Sequence, residues 1–249
     1  MKLFLSPAKR LQTDFSNEWG SLQTPKFIDE AKKIMQELRE KSPQKLENLM
    51  GISSDIAEIN YERNQMWSSN PQEKLAAAQM FDGEVYRGLT DEKLSDAAKE
   101  YLKKNLYILS GLYGILSPHS TVMPYRLEMG TKLWDDKRLD QFWQEKLTDF
   151  VNQNTQKDEI LLDLSSMEYM KSLNQKKLKG RVYDLKFMDF KNGKYKQITV
   201  YFKKARGAMA RYCAENNIQN LDGIKAFNGM DYLFNDELST EKTLIFTRR

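Results

Sequence analysis

The chain has 249 residues, 40% of them apolar and 30% charged, with 12 Tyr, 12 Phe and 4 Trp, a composition that supports a packed core and excludes a disordered or fibrous class. A single cysteine, Cys213, and a single histidine, His119, exclude an intrachain disulfide, a zinc finger and a His-rich metal site. No run of about 18 apolar residues offers a membrane span, and the apolar start before Pro7 is too short for a signal-peptide core, so the expected location is the cytoplasm.

Leu3 to Ser6 reads as a short buried strand, left through the tight loop Ser6-Pro7-Ala8-Lys9. Phe27 to Arg39 has helical apolar spacing. Ser42-Pro43 starts a second helix, with Ser as cap and Pro in the first turn, and Gly51 ends it. Ser53 or Ser54 opens a third towards Trp67, and Asn70-Pro71 a fourth that carries Leu75 to Ala78. Phe81 to Leu89 reads as a loop punctuated by Gly83 and Gly88. Ser95 caps a helix through Tyr101 to about Lys104, followed by a strand from Leu106 to Ser110 and a turn from Gly111 to Gly114. Leu139 to Val151 is an amphipathic helix, Ile160 to Leu164 a strand, and Ser165 to Leu173 a turn with a short helix. Arg181 to Phe190 and Lys194 to Phe202 flank Asn192-Gly193, a strong hairpin signal. Lys203 to Asn216 is helical and Leu244 to Phe246 is a closing strand. The alternation predicts one α/β domain over residues 1–249, with a mixed sheet surrounded by helices.

Net charge is only +4, but residues 171–211 hold thirteen Lys and Arg against Asp184 and Asp189, a net +11 that leaves −7 on the remainder. A basic block in an otherwise acidic chain is a footprint for a polyanion. In Lys203-Lys204-Ala205-Arg206-Gly207-Ala208-Met209-Ala210-Arg211, the small residues would keep the helix surface low enough for a phosphate backbone to approach. The turn Gly111-Leu112-Tyr113-Gly114 has the spacing of a hairpin whose backbone amides meet phosphate, as between two helices. Leu221 to Ile224 is a second candidate for such a join. Arg126 and Glu128 point the same way on an extended segment. Ser165, Ser166, Glu168 and Tyr169 gather just past a strand end, and such a hydroxyl-plus-carboxylate set suits acid–base work. The carboxylate pairs Asp135-Asp136 and Asp82 with Glu84 form no convincing ligand set, so neither a metal nor a cofactor is expected.

In order, Ser6-Pro7-Ala8-Lys9, Phe81 to Leu89, Leu109 to Gly114, Pro124 to Gly130, Glu168-Tyr169, Lys191 to Lys194 and Lys203 to Gly207 resemble the YaaA family of peroxide stress resistance proteins, over Leu3 to Phe246. The resemblance implies a bacterial cytoplasmic protein of the oxidative stress response that limits free iron and protects DNA from peroxide. It also implies an unusual single-domain α/β fold that binds DNA through a helix-hairpin-helix element and a basic cleft. On that reading Lys9, Gly111, Tyr113, Gly114, Arg126, Lys203, Lys204, Arg206 and Arg211 contact double-stranded or distorted DNA, largely without regard to sequence. The alternative is an enzyme acting on a nucleobase, nucleotide or other anionic small molecule in the same cleft, with Glu128, Glu168, Ser166 and Tyr169 as its working groups.

Overall fold

A computed structural model of the chain describes residues 1–14, 17–90, 92–134 and 137–249. The strand β1 (Lys2–Leu5) is followed by the helices α1 (Ile28–Arg39), α2 (Pro43–Met50) and α3 (Ser54–Met66). The strand β2 (Leu75–Ala76) then leads into α4 (Ala77–Met80), α5 (Glu84–Thr90) and α6 (Asp96–Asn105). Next come β3 (Leu106–Ser110), β4 (Gly114–Leu116), β5 (Thr121–Val122), α7 (Leu139–Gln153), β6 (Ile160–Asp163) and α8 (Met167–Met170). The last third holds β7 (Arg181–Lys191), β8 (Lys194–Lys196), α9 (Thr199–Glu215), α10 (Leu221–Lys225), β9 (Leu233–Phe234) and β10 (Thr243–Arg248).

These elements form one α/β domain around a mixed sheet of eight strands, ordered β4-β3-β1-β6-β7-β10-β9, with β8 paired to β7. The five inner strands from β3 to β10 run parallel, whereas β4, β8 and β9 pair antiparallel. Central strands β1 and β6 are almost wholly apolar and buried, as strands covered on both faces must be. From β1 the chain crosses to β3 on one side, then passes to β6 on the other. The space beyond the carboxyl ends of β1 and β6 is therefore a topological switch point, where open parallel sheets hold their ligands. No helix among the described residues is long and apolar enough to cross a membrane.

Local signals set many boundaries. Ser42 accepts from the Lys45 amide at the start of α2, and Gly51 ends that helix in the left-handed region. Ser95 caps α6 through the Ala98 amide. Asn192 and Gly193 both have positive φ, at 55° and 77°, as a tight hairpin turn requires.

Four expectations differ. The fourth helix does not begin at Pro71: Leu75 and Ala76 pair with Val122 and Thr121 instead, and only Ala77–Met80 is helical. The second arm of the hairpin stops at Lys196, because α9 starts four residues before Lys203 and absorbs Thr199 to Phe202. Leu221 to Ile224 does not join two helices but lies within α10. The Gly83–Gly88 loop is mostly the helix α5, which packs on α9 more extensively than any other pair of elements meets.

Candidate functional site

Gly88 of α5 and Gly207 of α9 face each other at that crossing. A Cβ on Gly207 would stand 1.7 Å from the Val85 carbonyl oxygen, and one on Gly88 would stand 2.0 Å from the Lys204 carbonyl oxygen. Gly207 therefore admits a neighbouring helix, which corrects the expectation that it admits a phosphate backbone. The close crossing brings Tyr86 on α5 and both Lys203 and Arg206 on α9 over the switch point.

A cleft of about 470 Å³ opens there. Its lining comes from the loop after β1, the α5 segment, residues 125–128, the loop after β6, and α9. Ser6 joins the two central loops: its Oγ accepts from the Ser166 amide at 2.9 Å and lies 3.4 Å from Ser166 Oγ. Tyr86 donates its hydroxyl to the Ser6 carbonyl at 3.0 Å. Tyr125 pairs its hydroxyl with Ser110 Oγ at 2.6 Å, at the carboxyl end of β3. Burial pushes the phenols of Tyr86, Tyr125 and Tyr169 far above their ordinary value, so all three line the cleft as neutral donors.

The charged groups are balanced. Among the described residues Lys9, Arg10, Arg126, Lys203 and Arg206 share the lining with Asp82, Glu84, Glu128 and Glu168. Glu128 reaches Lys9 at 2.5 Å and Arg126 at 3.9 Å, so it ties the β1 loop to the extended segment across the mouth. Arg10 pairs with Asp82 at 2.6 Å. Glu168 accepts from the Gly130 amide at 2.9 Å, which holds the start of α8 against the same segment.

Four of the nine residues expected to contact DNA, namely Lys9, Arg126, Lys203 and Arg206, meet in this cleft. So do all four groups of the alternative reading, Glu128, Glu168, Ser166 and Tyr169. The others lie elsewhere. Gly111, Tyr113 and Gly114 are buried, and the elements beside them are the antiparallel strands β3 and β4 rather than helices. The Tyr113 hydroxyl accepts from the Trp67 indole at 2.9 Å, and the Gly111 carbonyl accepts from the Trp143 indole at 2.9 Å, so this turn serves the core. Arg211 donates to the Glu92 and Lys93 carbonyls and approaches Glu215 at 3.7 Å, which fixes α9 to the segment before α6. Lys204 is absent from the cleft lining, and its backbone carbonyl packs against Gly88.

Sequence reasoning missed Tyr86, Tyr125 and Arg10 as parts of the site. Their signal was present, because each falls within or beside a block that carried the family resemblance, but the long contacts that gather them leave no periodic trace. Ser165, read with Ser166, Glu168 and Tyr169 as one hydroxyl-plus-carboxylate set, instead donates its Oγ to Asp163 Oδ1 at 2.6 Å. Cys213 is buried, and burial pushes its thiol up to about 12, away from the thiolate form that would react with peroxide. No three His, Cys, Asp or Glu side chains gather as a metal-ligand set among the described residues. Asp135-Asp136 lies outside the described residues.

Comparison with known proteins agrees with this reading of the blocks. The family described as peroxide stress protein YaaA matches residues 1–238. A UPF0246 protein of Psychrobacter sp. (strain PRwf-1) is 41% identical over 265 aligned positions, covering 100% of this chain and 98% of that protein. UPF0246 proteins of Marinomonas sp. (strain MWYL1) and Flavobacterium johnsoniae are each 38% identical over 252 positions, across the whole of this chain and 97% and 100% of theirs. With a family match over nearly its full length and relatives aligned end to end, this chain belongs to the peroxide stress protein YaaA family.

Proposed function

We propose that this protein serves the bacterial peroxide response by binding a nucleotide or nucleobase compound in the switch-point cleft. The observation that carries the reading is the composition of that cleft: five cations and four carboxylates, with three buried tyrosines, in about 470 Å³. Small-molecule sites commonly occupy roughly 300–1,000 Å³, with a few convergent polar groups on an apolar wall. A phosphate backbone gains most from uncompensated cations, since its affinity comes from counterion release. Here Glu128 and Asp82 already answer Lys9 and Arg10. In this reading the tyrosines flank a planar ring, Glu168 and Ser166 meet its polar edge, and a hydroxyl-plus-carboxylate pair stands ready to move a proton.

A second reading, sequence-tolerant binding of DNA, is favoured by a different observation. The net +11 of residues 171–211 is carried partly by the exposed hairpin lysines Lys191 and Lys194, beside the half-exposed Lys196. On that reading the protein shields DNA in the cytoplasm, and any limit on free iron is an indirect effect. Calorimetry with nucleosides and nucleotides, alongside anisotropy of a labelled duplex across a salt series, separates the two. Saturable nucleotide binding that weakens in Glu168→Gln, with little dependence on salt, supports the cleft reading. Steeply salt-dependent duplex binding, lost in Lys191→Ala/Lys194→Ala and unaffected by Glu168→Gln, would replace it with the DNA reading.

A further inference from the structure

Arg206 stands out among the cleft cations. Its side chain is partly buried, and Nε is fully buried without any hydrogen-bond partner. It makes no hydrogen bond or ion pair with any described residue, and its nearest aromatic contact is Phe202, 5.1 Å from the guanidinium to the ring centroid. Each of the other cleft arginines has a carboxylate within 4.0 Å: Arg10 has Asp82 and Arg126 has Glu128. A guanidinium has five donors in a rigid fork, and burying it without acceptors is costly.

Burial pulls the Arg206 guanidinium below its ordinary value, and attraction to Asp163 and Asp184 opposes that shift. They are neighbours in register on β6 and β7, and both lie outside the cleft lining. Asp163 already accepts from the Ser165 amide and hydroxyl, and burial pushes its own carboxyl upward, towards the neutral form. The guanidinium therefore keeps both charge and unused donors at the cleft. Lys203 lies three residues earlier on α9, on the same helix face, and lines the same space.

We infer that Arg206 is the anchor for a phosphate-type oxyanion on the ligand, with Lys203 beside it and the tyrosine-lined part of the cleft left for the ligand's uncharged body. This rests on the cleft reading above and narrows its ligand to a phosphomonoester. A planar bidentate contact explains why an arginine and not a lysine stands at this position.

The test compares adenosine, adenosine 5′-monophosphate and inorganic phosphate on the full chain, with two readouts. The first is the Nε–H signal of Arg206 in nitrogen-15 spectra, assigned by its loss in Arg206→Lys. The second is affinity by calorimetry. Inorganic phosphate is expected to shift the Arg206 signal saturably, and the monophosphate to bind more than about tenfold tighter than adenosine. In Arg206→Met that preference is expected to vanish. Should Arg206→Met fail to fold, the spectra of the unaltered chain decide alone. A static Arg206 signal at saturating phosphate overturns the assignment, as does a monophosphate preference that survives in Arg206→Met. If adenosine binds as well as its monophosphate, the anchor falls and the cleft reading stands. If phosphate alone moves Arg206 and no nucleoside binds, the anchor stands and the nucleotide reading falls.

Discussion

At the end of β6, Asp163 sits buried with its carboxylate held by the Ser165 amide and hydroxyl at 2.8 and 2.6 Å. Burial outweighs those hydrogen bonds and the pull of Arg206, so the folded state holds this proton more tightly than the unfolded chain does. For an acid shifted upward, the associated stability is full below the unfolded pKa, about 3.9, and is lost as pH rises through the folded value. Asp163→Asn keeps an oxygen for Ser165 and carries no charge. It is expected to exceed the parent in stability at pH 7, with the gap closing towards pH 4; urea unfolding at both values checks it. An Asn variant that is weaker at pH 7 would mean that attraction to Arg206 exceeds the burial penalty. None of this was legible in the sequence. Asp163 read there as one strand residue among leucines, because burial and the charge of a residue 43 positions away are tertiary facts.

Among the elements, the α5–α9 crossing decides where the site forms. Gly88 and Gly207 were visible as glycines, but Gly88 suggested a loop and Gly207 an approach for phosphate. A glycine inside a helix costs about 1 kcal/mol against alanine, so local propensity argued against α5. The crossing reverses that preference, because only the absence of Cβ lets the two backbones meet. Gly207→Ala should therefore lower stability despite its better propensity. Overpacking costs about 1–3 kcal/mol, and the methyl would meet the Val85 backbone, which cannot swing aside as a side chain can. A lowered melting temperature, with ligand affinity reduced because Tyr86 and Arg206 move apart, is the expected result. A more stable Gly207→Ala chain would show that the helices can separate freely. By contrast α2 and α6 were legible to within about a residue, since Ser42, Gly51 and Ser95 make their capping contacts within four positions along the chain.

For the whole molecule, one buried cluster runs from Leu3 on β1 through Trp143 on α7 to Phe246 on β10. First and last strands lie in one sheet, joined through β6 and β7, so neither half has a separate core. Unfolding followed by tryptophan fluorescence and by far-ultraviolet dichroism is expected to give coincident transitions. Two separated transitions would mean that the β7–β10 end unfolds on its own. The sequence by itself determined the class, because alternating buried strands and amphipathic helices, punctuated by caps and the Asn192-Gly193 turn, depend only on near neighbours. It also supplied the family blocks and most of the charged groups. Only the tertiary structure decided which of those groups meet. It turned the Gly111–Gly114 segment inward, tied Arg211 to the backbone before α6, and set Arg206, with no hydrogen-bond or ion-pair partner among the described residues, in the cleft that Tyr86 and Ser166 also line. The physical reason is that strand order and helix crossing bring together residues up to two hundred positions apart, and no local pattern in a chain records such contacts.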